Sequence, residues 1–178
     1  MYCNLIGRKM RKIYFLRAVL ELMLYLSIIG AIGLLVTTPF ILKDDDWNIP
    51  FTINGVSTTP NTFSSKLMFI VMVLGHLLFV YAIYLFKKTV NLFINKKIFD
   101  DTAIKNLSVI GRIFIIVTLI TKTIEFTANL ITERKTEIVL SSGFDSFLFT
   151  IAIGLFFIIM SEVFKMVKNL KEENKLTI

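Results

Sequence analysis

The chain has 178 residues, 55% of them hydrophobic and 19% charged, with mean hydropathy +0.73 and a formal net charge of +7. Hydropathy this high over so short a chain leaves room for membrane spans and their connections, and no separate soluble domain is expected within it. Cys3 and His76 are the only residues of their kinds, which excludes a disulfide exchanger, a single-chain iron–sulfur carrier, bis-histidine haem ligation and HExxH zinc chemistry.

The N-terminal arm carries Arg8, Lys9, Arg11, Lys12 and Arg17 ahead of an apolar run from Ala18 to Leu42. A signal peptide opens the same way. This run, however, exceeds an h-region of about 7 to 15 residues and no small-residue cleavage pattern follows it before Pro39, so a retained helix is expected. The first loop, Lys43 to Lys66, places Asp44, Asp45 and Asp46 before Trp47. Adjacent carboxylates lack the spaced ligands and terminal Glu of an EF-hand and read as a solvated cap on the first helix. Within Ile49–Thr59, β-branched and aromatic residues flank Asn54-Gly55, the favoured two-residue turn, and predict a small external hairpin. Glu137–Leu140 in the third loop offers it a further strand, ended by Ser141, Ser142 and Gly143.

The second span runs from Leu67 to Phe86, and Val90, Phe93 and Ile94 continue its apolar face beyond the bilayer among Lys87, Lys88 and Asn91. About nine added residues project about 13 Å. A turn is expected over Asn95–Phe99, after which Asp100 or Asp101 caps the third helix. The third span is Val109–Ile131 and the fourth Phe147–Val167, which Leu170 extends amid Lys168, Lys171, Glu172 and Glu173. Each span has the roughly 20 residues needed to cross about 30 Å of hydrocarbon, and backbone amides without water must bond within a helix.

Lys and Arg set the orientation, since cytoplasmic loops beside spans retain positive charge. The N-terminal arm, the second loop with the start of the third span (Lys87, Lys88, Lys96, Lys97, Lys105 and Arg112) and the tail (Lys165, Lys168, Lys171 and Lys175) hold most of the twenty basic residues. The opposite face holds Lys43, Lys66, Arg134 and Lys135, while Lys122 lies within a span. The expected fold is an all-α membrane protein, a single four-transmembrane-helix bundle over residues 1–178 with both termini cytoplasmic. Basic residues strung along membrane boundaries bind anionic lipid and do not make a direct nucleic-acid surface.

Polar residues inside the spans need partners, because a charge at mid-bilayer costs about 2.5 to 3.5 kcal/mol on insertion scales. On the third helix Gly111, Thr118, Lys122, Glu125 and Asn129 share one stripe, expected to face the bundle interior. At about 1.5 Å per residue, His76 and Lys122 lie roughly 13 Å from the outer boundary and Glu125 about 9 Å. An outer cluster of His76, Lys122 and Glu125 is expected. It reads either as an ion pair fixing helix register or as a proton or ion relay, and the register role is favoured because no ionisable ladder continues across the middle. Near the inner boundary Glu21, Arg112 and Glu162 reach similar depth, with Arg112 placed to bridge the two carboxylates and Arg17 and Lys165 also within helical reach of them. Small residues, Ser27, Gly30, Ala31 and Gly33 on the first helix with Ala152 and Gly154 on the fourth, point to tight packing. With no phosphate-binding glycine loop and no GxSxG elbow, the chain is expected to be neither an enzyme nor a holder of cofactor or metal.

The stretch NKKIFDDTAIKNLSVIG, Asn95–Gly111, and the ending EVFKMVKNLKEENKLTI, Glu162–Ile178, resemble the two signature regions of a family of small bacterial four-helix membrane proteins, domain of unknown function 2975. The most specific part is Glu172-Glu173 followed by Leu176-Thr177-Ile178. The resemblance implies the bacterial cytoplasmic (inner) membrane. It also implies, by genomic association with small Cro-type helix-turn-helix repressors, a transcriptional regulator as cytoplasmic partner. Both signature regions fall on the cytoplasmic helix ends, where Lys96, Phe99, Glu172, Glu173 and Leu176 are the candidate partner-binding residues. The competing reading is that Ile98, Phe99, Ile104, Leu107, Leu170 and Leu176 pack those ends together. The leading expectation is a non-enzymatic membrane protein binding a partner there. The alternative is a small transporter, channel or membrane-stress factor, in a homo-oligomer, using the polar stripe of the third helix.

Overall fold

The computed structural model describes residues 2–43, 51–53, 56–58, 63–132 and 147–176. Its elements are α1 (Tyr2–Lys43), β1 (Phe51–Ile53), β2 (Val56–Thr58), α2 (Phe63–Ile94), α3 (Asp101–Thr132) and α4 (Phe147–Leu176). All four helices are long and apolar enough to cross a membrane. The chain is a multi-pass membrane protein, and each helix outruns the span that hydropathy defines. At about 1.5 Å per residue, the 42 residues of α1 are roughly twice the length that about 30 Å of hydrocarbon requires. The excess carries the basic N-terminal arm on helix.

Between α1 and α2, β1 and β2 pair antiparallel in the register Phe51↔Thr58, Thr52↔Ser57 and Ile53↔Val56. The turn residues Asn54 and Gly55, the acidic run 44–46, the third-loop segment 137–140 and Asn129's side chain lie outside the described residues.

The helices pack in chain order, α1 on α2, α2 on α3 and α3 on α4. Aromatic rings add a link between α2 and α4. Phe86 meets Phe157 edge-on at 5.4 Å, Phe93 meets Phe164 at 5.9 Å, and Phe114 of α3 stacks on Phe157 at 6.2 Å. Three helices thus share one interior, and α1 leans on it through α2. The deepest side chains, Thr89, Val90, Ala103 and Ile110, lie at the end of this trio that bears the basic residues. A second, smaller core of Ile41, Phe69 and Val73 joins the far ends of α1 and α2. Within the spans lipid tails are as apolar as Leu, so dispersion between closely fitted surfaces and hydrogen bonds between helices hold the helices together; Thr89, Val90 and Ala103 lie beyond the spans, and there burial from water contributes as well.

The fit is closest where Gly111 of α3 faces Gly154 of α4. A Cβ added at Gly154 would meet Ile115 Cγ1 at 2.7 Å and the Gly111 carbonyl oxygen at 2.8 Å, so the two backbones touch. Two turns away Ser161 of α4, buried, donates its hydroxyl to the Ile104 carbonyl of α3 at 2.8 Å. The small residues of α1 divide: Gly30 lies under the His76 ring of α2, whereas Gly33 has open space around it. On α1 itself Pro39 supplies no N–H to the Leu35 carbonyl, while Thr37 and Thr38 both donate to the Leu34 carbonyl, at 3.1 and 2.6 Å.

Candidate functional site

The basic end of the molecule is built around the turn between α2 and α3. Helix α2 closes with the Lys97 N–H donating to the Leu92 carbonyl at 2.9 Å and the Lys96 N–H to the Phe93 carbonyl at 3.1 Å. These two bonds are the Schellman pattern, and it requires a left-handed residue, here Lys96 at φ 60°. Glycine usually takes that place, so a lysine there carries backbone strain of about 1–2 kcal/mol. Four residues on, Asp100 accepts the Thr102 N–H at 2.8 Å, and its own carbonyl takes the first helical bond, from Ile104 N–H at 3.1 Å. Asp100 is therefore the N-cap of α3, and the Thr102 amide holds its carboxyl below the usual carboxylate range.

Its neighbour Asp101 turns to α4 instead. Lys168 Nζ lies 2.7 Å from both carboxylate oxygens of Asp101 and 3.7 Å from Glu172 Oε1, tying the start of α3 to the end of α4. Phe99 folds into the same junction, edge-on to Phe164 at 5.9 Å, and Ile98 stays exposed. Two buried amide atoms, Asn91 Oδ1 on α2 and Asn106 Nδ2 on α3, find no hydrogen-bond partner among the described residues.

The candidate inner cluster is divided by this packing. Glu21 pairs with Lys87 of α2 at 3.0 Å and with Arg17, one turn back on its own helix, at 3.4 Å. Arg112 belongs to α3, whose main packing partners are α2 and α4, and among the described residues no ion pair joins it to Glu21, so equal depth in the membrane does not bring the two together. The structure corrects the expected partner of Glu21 from Arg112 to Lys87. The signal available in the sequence was adjacency, since Lys87 ends the span that follows α1. Arg112 and Glu162 do share one feature, an open groove of roughly 340 Å³ between α3 and α4 that Lys105, Ser108 and Lys165 also line. No ion pair joins them among the described residues, and both are exposed.

In the outer region His76 is half-buried and donates from Nε2 to the Ser27 carbonyl of α1 at 3.0 Å, which assigns the ring a register contact with α1. Lys122 is half-buried and not without a partner; the side chain of Glu125 lies outside the described residues. Of the stripe on α3, Gly111 faces α4 and Thr118 returns its hydroxyl to the Phe114 carbonyl at 2.7 Å. Among the candidate partner-binding residues Lys96, Glu172 and Glu173 are exposed, Phe99 is half-buried against Phe164, and the Leu176 side chain lies outside the described residues.

No curated protein and no solved structure matches the chain. A family model does match, described as protein of unknown function DUF2975, over residues 38–178. That range takes in the strand pair, α2, α3 and α4, with only the last residues of α1. The three-helix unit, its cap-to-cap turn and the Lys168–Asp101 tie all fall inside it, and the chain belongs to the DUF2975 family.

Proposed function

We propose that this is a non-enzymatic protein of the bacterial cytoplasmic membrane, both termini cytoplasmic, that binds a cytoplasmic protein through the basic end of its helix bundle. The observation that carries the reading is the contrast at that end. A rigid platform, fixed by the Schellman turn, the Asp100 cap and the Lys168–Asp101 tie, presents an exposed charged surface of Lys96, Glu172 and Glu173 beyond the apolar spans. Rigidity lowers the ordering cost of association, and mixed charge selects partners by complementarity. Phe99 contributes to the platform's packing rather than to its surface. A DNA-binding regulator of the helix-turn-helix kind is the partner class that the family resemblance suggests.

The transport alternative has less support, because His76 is spent on the Ser27 carbonyl and the half-buried rings of Phe86, Phe114 and Phe157 meet between α2, α3 and α4. The reading is tested by purifying the tagged protein from native membranes and comparing the wild type with E172K/E173K. A regulator recovered with the wild type and lost with the variant is the expected outcome. Recovery of the same proteins with both, or of no regulator with either, refutes it.

A further inference from the structure

We propose that the groove between α3 and α4 at the basic end is a binding site for the phosphate-bearing head group of an anionic phospholipid. Its lining brings together three cations, Lys105 and Arg112 from α3 and Lys165 from α4, with the acids Asp101 and Glu162. Asp101 is already neutralised, since Lys168 holds both of its oxygens at 2.7 Å. Three positive charges then face one carboxylate. None of the three cations has an ion-pair partner among the described residues, and Glu162 does not close on Arg112.

Depth and shape select the ligand. The groove spans the boundary at which the apolar part of α3 begins: Lys105 lies about 6 Å outside Val109 and Arg112 about 4 Å inside it, at about 1.5 Å per residue. A guanidinium just below the head-group layer lacks the water that an exposed arginine in solution would have. A phosphate offers it two acceptor oxygens in the geometry of its paired donors, and the flanking ammonium groups add charge without directional demand. Ser108 supplies a hydroxyl between them.

The same face of α3 continues inward at helical spacing from Arg112 through Ile116, Leu119 and Ile120, which are 50%, 49% and 46% exposed. An acyl chain running down from a head group in the groove would lie along these side chains. A soluble phosphate gains nothing from that stripe, and a zwitterionic head group brings a cation into a groove with net positive charge. Both comparisons favour an anionic phospholipid.

The test uses the full-length protein in neutral detergent, with retained lipid counted by native mass spectrometry after addition of phosphatidylglycerol or phosphatidylcholine. The wild type is expected to retain phosphatidylglycerol at least tenfold better than phosphatidylcholine, and K105Q/R112Q/K165Q to lose at least tenfold of that retention with an unchanged helical spectrum. K88Q/K97Q, which removes two exposed cations outside the groove, is expected to leave retention unaltered. E162Q removes the groove's remaining acid and is expected to raise retention, which keeps the proposal testable should the triple variant not fold. Equal retention of the two lipids, equal losses in the two multiple variants, or a fall in E162Q would overturn the site. Displacement of phosphatidylglycerol by millimolar inorganic phosphate would overturn its assignment to lipid.

Discussion

At the residue scale, Lys96 and Asp100 show how a six-residue connection is fixed from both sides. Lys96 holds a left-handed backbone that a β-branched side chain resists strongly. Lys96→Val is therefore expected to destabilise the protein by about 1–2 kcal/mol, and Lys96→Gly to be neutral or stabilising, by thermal unfolding in detergent. Asp100 has a folded-state pKa below its ordinary value, so its contribution is complete above the usual carboxylate range and is lost as pH falls through the folded value. Melting temperature should fall on acidification toward pH 3 in the wild type, and Asp100→Asn, which keeps an acceptor oxygen without a charge, should flatten that part of the profile. The cap was legible in the sequence because Asp before a helical run has a chemical meaning of its own. The strain at Lys96 was not, because nothing in a lysine announces a positive φ; only the Phe93 and Leu92 carbonyls, served by the Lys96 and Lys97 amides, reveal it.

Helix pairs set the next scale. Where α3 and α4 touch at Gly111 and Gly154, a methyl group has no space, and relief requires the backbones to part. Gly154→Ala is expected to cost about 1–3 kcal/mol, as overpacking does. The contrasting case is Gly33→Ala, whose new Cβ meets nothing and which should stabilise α1 by about 0.5–1 kcal/mol through lost backbone freedom. Paired unfolding curves of the two variants check both signs. Spans and the continuation of α2 and α4 past the bilayer were readable from hydropathy and spacing, since lipid leaves the backbone no alternative to helix. Which faces meet was not, because small residues recur on α1 and α4 alike and only the packing distinguishes Gly154 from Gly33.

For the whole molecule, the order of packing explains the error over Glu21. Depth in the membrane is a one-dimensional coordinate and can be counted along each helix, whereas neighbourhood within the bundle is two-dimensional and cannot. Glu21 and Arg112 share the first coordinate and not the second; Glu21 and Lys87 share both. A double-mutant cycle between Glu21 and Lys87 should give a measurable coupling, and one between Glu21 and Arg112 none beyond error. The three-helix interior of α2, α3 and α4, which coincides with most of the family match, is the packed unit that carries the charged end.

The packing of α1 chiefly on α2, among the described residues, bears on how the polypeptide is made. Helix α1 leaves the ribosome and crosses into the bilayer while the α2 surface that bears His76 and Phe69 is still unsynthesised. Its entry therefore depends on its own hydropathy, and its docking is a later event in the plane of the membrane, waiting on the next crossing to arrive.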